Sequence, residues 1–398
     1  METAAPGASR PTLAAVGIQS TTSRLLFVDN IRVLLTILVL LFHLMITYAG
    51  TGDWWYMEGR EDTITGVIGA WFLIVNQAYF MGLFLLISAY FVPGSYDRKG
   101  TGRFLKDRLI RLGIPLALYS WIIRPLLAYF DPVKFPGPRL PFWSFLTDKY
   151  FRDEAVLGSG PLWFIETLLI FSVVYVLWRL LTRPRPAAPA VETHFPGSVP
   201  IALFALLLGI AGFLVRLWLP MGYNFQPLNL QFPFFAQYIA LFVVGLIAYR
   251  RNWLLDLPDS LGRLWLGIGI LTILLFWPLM LGGGAITAGL DPFKGGWHWQ
   301  ALAYALWESF LCLGMCIGLI YAFRRYGNRQ GRLASFLSPN AYTAYLIHGV
   351  VITAIAYAVR DVALYPLLKW GLVALVAVPL CFGISSLMRK LPYTDQVL

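Results

Sequence analysis

The sequence predicts an all-α, polytopic integral membrane protein with about ten transmembrane helices and both termini cytoplasmic. Three observations carry this expectation. Of 398 residues, 58% are hydrophobic and only 13% are charged, too little polar surface to cover a soluble domain. Apolar stretches of about 20 residues, the length that crosses a bilayer core, recur ten times. Lys and Arg also alternate in density between successive loops, as the positive-inside rule requires.

Residues 1–24 open with Ala, Gly, Ser, Thr and Pro and no compact apolar run. They read as a disordered cytoplasmic tail and not as a cleavable signal peptide. The spans are expected at 31–50, 65–93, 111–130, 159–181, 199–219, 230–249, 263–283, 300–323, 339–360 and 364–388, within a transmembrane domain of residues 25–392. The second is long enough to be tilted or broken near Gly82. Pro115, Pro278 and Pro379 lie inside spans, where membrane helices tolerate proline. Arg183–Ser198, rich in Pro and Ala, reads as a mobile linker, and 393–398 as a short cytoplasmic tail. No internal repeat is visible.

The net charge is +11, which on a soluble chain would raise the question of nucleic acid. Its placement excludes that reading. With the N-terminus inside, the cytoplasmic segments hold 20 of the Lys and Arg residues and the opposite loops 7. The remaining four, Arg32, Arg124, Arg216 and Lys369, lie in or at the spans. The basic balance sets topology, and the partner it implies is the lipid bilayer. Cys312, Cys316 and Cys381 all fall inside spans, with no neighbouring ligand set for a metal. They read as small apolar filler, and no metal is expected.

Ionisable groups inside a bilayer are costly and mark function. Arg32 and His43 are eleven positions apart in NIRVLLTILVLLFHLMITYAG. At about 100° per residue they share one helix stripe, roughly 16 Å apart along the axis. Neutral imidazole suits a general base near pH 7. A permanently charged guanidinium can hold an anion or a developing negative charge, although an end-of-helix arginine can also simply snorkel to lipid phosphate. Asp29, one turn earlier, can fix the Arg32 rotamer. His348, near the middle of the ninth span, is the other intramembrane histidine.

Four further groups are candidates. Arg108 and Arg111 are i,i+3 neighbours in FLKDRLIRLGIP and suit the phosphates of a cytoplasmic ligand, with anionic lipid as the plainer alternative. Glu166 and Glu308 lie in the outer halves of the fourth and eighth spans. Each can orient His43 in a shared cavity or serve as the structural partner of Arg124 or Arg216. In the loop Thr51–Asp62, Asp53, Glu58, Glu61 and Asp62 mix with Trp54, Trp55 and Tyr56. This pattern suits sugar binding, and equally an interfacial aromatic belt. No P-loop, dinucleotide fingerprint, nucleophile elbow or zinc-protease motif is present. None of the four histidines has an Asp five residues on.

VDNIRVLLTILVLLFH resembles the opening helix of the membrane acyltransferase-3 family, with its Arg, ten residues, then His. FMGLFLLISAYFVPGSYDRKG, FLKDRLIRLGIP with its RxxR, GPLWFIETLL and LSPNAYTAYLIHG follow in the family's order, so the resemblance covers about residues 25–390. The stretch ITYAGTGDWWYMEG resembles the glucan-modifying branch. The resemblance implies transfer of an acyl group, acetyl or succinyl in class, from cytoplasmic acyl-coenzyme A to a hydroxyl of an extracytoplasmic or lipid-linked carbohydrate. It implies His43 as catalytic base, Arg32 as support for the donor or active site, and Arg108 and Arg111 as donor-binding residues. Trp163, His348, Asp53 and Trp54 are then expected to contact substrate. One departure is Ala89, where many members have Gly, which bears on close packing. The family's additional C-terminal hydrolase-like domain is not expected here. Two rival readings are a polytopic transporter of glycans or small anions, with Arg, His and Glu forming a path, and a glycosyltransferase using the loop acids.

Overall fold

The computed structural model describes residues 24–58, 62–130, 140–152, 158–182, 195–226, 228–392, 394 and 397. Most of the expected N-terminal tail, Glu61 and the linker from Arg183 to His194 lie outside the described residues. Ten helices among the described residues are long and apolar enough to cross a membrane. They are α1 (Leu26–Ala49), α2 (Thr63–Tyr90), α3 (Val92–Tyr129), α4 (Gly160–Leu181), α5 (Ser198–Arg216), α6 (Phe232–Arg250), α7 (Asp259–Gly282), α8 (Trp299–Tyr326), α9 (Arg332–Ala358) and α10 (Pro366–Met388). The protein is an all-helical, multi-pass membrane protein. Ten crossings return Met388 to the side on which Leu26 begins, called below the N-terminal side.

α1 sits at the centre and packs against α2, α8, α9 and α10. Lipid tails are as apolar as the side chains, so close backbone approach and van der Waals contact hold such a bundle together. A Cβ added at Gly269 would lie 3.0 Å from the Gly314 carbonyl carbon, and one at Gly318 2.7 Å from Leu266 Cα. These glycines let α7 and α8 touch. Between α6 and α2, a Cβ on Gly245 would lie 2.7 Å from Ala89 Cβ. The room that the sequence departure at Ala89 takes away is therefore supplied from the facing helix.

α2 is broken, but one turn earlier than Gly82. Its two halves meet at Ala78–Tyr79, between Thr63–Gln77 and Phe80–Tyr90. The carbonyl of Ala78 accepts a bond from Gln237 Nε2 at 2.8 Å, and Gln77 Nε2 donates to the Tyr238 hydroxyl at 3.0 Å. Gln237 of α6 thus satisfies the carbonyl at the interruption, as the bilayer interior demands, while Tyr238 takes the Gln77 side chain. Gly82 instead marks a close approach, since a Cβ there would lie 2.5 Å from Leu241 Cδ1.

α3 begins well before the expected residue 111, because the basic run is helical too. The chain turns at Gly100, whose φ of 71° only glycine adopts freely. It then widens into π-helical turns at Leu109–Gly113 and Tyr119–Ile123. Pro115 has no N–H to donate to the Arg111 carbonyl four residues earlier. The Tyr342 hydroxyl of α9 donates to that carbonyl instead. Cys312, Cys316 and Cys381 are buried and unpaired.

Candidate functional site

The two intramembrane histidines meet. His348 Nε2 of α9 lies 3.2 Å from His43 Nδ1 of α1, with ring centroids 4.9 Å apart. Backbone carbonyls settle which nitrogens carry protons. His43 Nδ1 is 3.0 Å from the Val39 carbonyl, and His348 Nδ1 bonds the Tyr345 carbonyl. A carbonyl only accepts, so both Nδ1 atoms carry hydrogen in the neutral rings. His348 Nε2 is then an acceptor for the His43 Nδ1–H, and His43 Nε2 is left with a free lone pair. Sequence spacing offered no register between α1 and α9, so this pairing was not visible before the fold.

The loop after α1 folds back over this pair. The Trp54 ring stacks on His43 at 4.3 Å with an interplanar angle of 29°. Two straps hold the loop to the start of α10. Lys369 Nζ is 2.8 Å from Glu58 Oε1 and 2.7 Å from Oε2, both side chains being buried. The Tyr365 hydroxyl donates to Asp62 at 2.8 Å. Asp62 also caps α2, accepting from the Thr65 amide at 2.8 Å and hydroxyl at 2.5 Å. The Thr65 bonds first, then that of Tyr365, hold its carboxyl below the usual carboxylate range. In the sequence Lys369 is one of four cations in or at the spans, and Glu58 one loop acid among four. Their pairing was not deduced.

The Arg32 guanidinium lies over the Phe91 ring at 4.8 Å. Its bond to Asp29 is long, 3.5 Å, because Arg24 holds the other oxygen of that carboxylate at 2.5 Å. Arg32 is thus only loosely neutralised. Arg108 is within electrostatic range of Arg111 and Arg32, with its guanidinium over Phe104 at 5.1 Å. α1 and α3 together therefore present three arginines toward the N-terminal side, below the histidine pair.

The two carboxylates take separate places. Glu308 Oε2 lies 2.5 Å from Arg216 Nη2, both buried, and Arg216 Nε also donates to the Pro233 carbonyl at 3.2 Å. This is the structural-partner alternative left open by the sequence. Glu166 lines a cavity of about 250 Å³ with Ser120, Trp121, Phe151 and Ser159. The side chains found against the His43 ring are His348, Trp54 and Phe42, so the position expected for an orienting carboxylate is held by His348. Trp163 packs in the core, its ring 5.4 Å from that of Tyr238. Asp53 lies within electrostatic range of Arg124, whose guanidinium faces the Trp55 ring at 5.6 Å. No group of metal-binding side chains occurs among the described residues.

The profile of the acyltransferase-3 family, described as an acyltransferase domain, matches residues 25–386. The chain belongs to this family. Similar relatives include the glucans biosynthesis protein C of Salmonella schwarzengrund, 26% identical over 239 residues. That of Escherichia coli K12 is 25% identical over 232 residues. The matches cover 56% of this chain and 58% and 57% of those relatives. The chain thus spans under two thirds of the length of the curated relatives it matches. No solved structure matches it. The acyltransferase-3 match takes in every helix that builds the histidine pair and the arginine cluster.

Proposed function

We propose that this chain is a membrane O-acyltransferase of the inner membrane. It moves an acetyl- or succinyl-class acyl group from acyl-coenzyme A on the cytoplasmic, N-terminal side to a carbohydrate hydroxyl reaching it from the opposite side. The observation that carries this reading is the His43–His348 pair, with the Nε2 of His43 left as a base.

Arg108 and Arg111 meet the donor's phosphates, and Arg32, on the His43 helix, supports the donor between them and the reaction centre. His43 Nε2 takes the proton of the acceptor hydroxyl as that oxygen adds to the thioester carbonyl carbon. Its Nδ1–H stays on the shared edge with His348 and Val39, so the imidazolium is held by two acceptors as it forms. The tetrahedral intermediate collapses, the C–S bond breaks, and the coenzyme A thiolate leaves and recovers the proton from His43. The ester and free coenzyme A are the products. His348 Nε2 is engaged by the His43 Nδ1–H, so the reading is direct transfer without an acyl-enzyme. Trp54, strapped over His43, excludes water and supplies a flat apolar face to a sugar ring. Glucans biosynthesis protein C as the name of the relatives is consistent with a glucan-type acceptor.

The test is transfer of label from radiolabelled acetyl- or succinyl-coenzyme A in membranes carrying the protein, beside His43→Ala at equal abundance. Label entering glycan or lipid-linked sugar with the wild type and lost with the variant supports the assignment. Transfer untouched by the substitution removes His43 from the mechanism.

A further inference from the structure

Three cations are buried in the half of the bundle away from the N-terminal side, and they are not treated alike. Arg216 is paired with Glu308 and Lys369 with Glu58. Arg124, near the end of α3, is 5% exposed. Its Nε and Nη1 are sealed from solvent with no hydrogen-bond partner. No carboxylate stands within ion-pairing distance of it among the described residues. Its surroundings are the Trp55 ring, the Tyr119 and Tyr150 side chains and, electrostatically, Asp53. A buried guanidinium stripped of water and without an ion pair among the described residues works against the fold, and an anion arriving from outside the chain would compensate it.

The location says which anion. Trp54 stacks on His43, and the next residue, Trp55, faces Arg124. Ala128, one turn beyond Arg124, packs with Ile46, Trp54, Trp55 and Tyr150 in one apolar cluster. Arg124 is therefore faced by the same Trp54–Trp55 stretch that covers the histidine pair, on the side away from the Arg108 and Arg111 cluster proposed to meet the donor phosphates. The Tyr150 hydroxyl, within electrostatic range of Arg124, is also sealed without a partner, giving a neutral donor beside the cation.

We propose that Arg124 is the centre of an anion subsite that takes a carboxylate of a substrate. This rests on the acyltransferase reading above and adds to it. The carboxylate has two possible sources, the distal end of a dicarboxylic acyl group or an acidic sugar of the acceptor.

The test is thermal unfolding of the purified full-length protein in detergent, with sodium succinate or sodium glucuronate, each against sodium chloride at equal ionic strength. A ligand that binds only the folded state raises the melting temperature, by about 3 °C at saturating anion. At least one of the two should do so for the wild type and neither for Arg124→Gln. Stabilisation by succinate alone assigns the subsite to the acyl group, and by glucuronate alone to the acceptor. Without added anion, Arg124→Gln should melt at or above the wild-type temperature, because it removes a buried charge without an ion pair. Wild type unmoved by both anions overturns the proposal, and this holds even if the variant fails to fold. An equal shift in Arg124→Gln, or a variant that melts well below the wild type, also overturns it. Binding is read without catalysis, so a failed transfer assay and a failed subsite are separate results.

Discussion

The Arg216–Glu308 cluster, fully buried, and the His43–His348 cluster, in which His43 is half-buried, lie in the same half of the bundle, yet they are built in opposite ways. In the first, a guanidinium and a carboxylate 2.5 Å apart neutralise each other, and the Pro233 carbonyl takes a further N–H. In the second, one ring nitrogen is left with a lone pair, and the Trp54 indole N–H and the Nε and Nη1 of the neighbouring Arg124 have no hydrogen-bond partner among the described residues. A charge paired inside the fold holds helices in place, even where Arg216 Nη1 and Glu308 Oε1 keep no hydrogen-bond partner of their own. A cluster that leaves a cation without an ion pair beside a base has capacity for a ligand. Ionisable residues within spans are functional by default, and this contrast separates the ones that react from the ones that hold.

The largest effect that sharpens the contrast belongs to the base. His43→Ala should lower acyl transfer by roughly 10²–10⁴-fold, the usual worth of general base catalysis, and leave the melting temperature almost unchanged. Assays at equal membrane abundance, with unfolding measured alongside, decide this. A variant that instead fails to accumulate would make His43 a packing residue.

Next is the ion pair. Glu308→Leu or Arg216→Met alone leaves one buried charge unpaired and should cost about 3–5 kcal/mol. The double substitution should recover much of the loss. Denaturant or thermal unfolding of the three variants is the check. A double variant as unstable as the two singles added together would show that each residue has other essential partners. Retained stability with lost activity in Glu308→Leu would move Glu308 into the catalytic group and break the contrast.

A smaller effect is expected at the strap. Lys369→Met removes the Lys369–Glu58 ion pair, so the loop bearing Trp54 should loosen. Raised acceptor KM with kcat falling less than tenfold is the expected split, since Trp54 is assigned to substrate placement and not to proton transfer. An unchanged KM would show that the loop is held without the strap.

The smallest is at the α2 cap. The Asp62 carboxyl is held below its ordinary range, so what the cap contributes is present above the ordinary carboxylate pKa and disappears only as pH falls through the lowered value. Exchange of the Thr65 amide with solvent should stay slow at about pH 4 and rise in stronger acid, while Asp62→Asn should remove that acid step. Protection lost already at about pH 4 would contradict the cap.

Much of the architecture was legible because the bilayer imposes one length and one polarity on every span. The ten spans, the break in the second and the catalytic interest of His43 follow from apolar runs and from the cost of an imidazole among them. The position of the break was misread. Gly82 is the conspicuous residue, but Gln237 on another helix is what makes an opening at Ala78 affordable. Partnerships were the illegible part. That Glu308 meets Arg216, Glu58 meets Lys369, and His43 meets His348 depends on which helices are neighbours and at what height. A single chain records neither. Nothing in the sequence separates Arg124 from Arg216, and in the fold only Arg216 has a carboxylate partner among the described residues.

The central claim is that His43 and His348 act as one unit. The most direct measurement is a double-mutant cycle on acyl transfer from labelled donor, using His43→Ala, His348→Ala and the pair at equal abundance in membranes. If His348 works only through His43, the double variant should be no slower than His43→Ala. His348→Ala alone should fall about 10–100-fold, as loss of an orienting partner does. Independent, multiplying losses in the double variant would contradict the account and place His348 in a separate role.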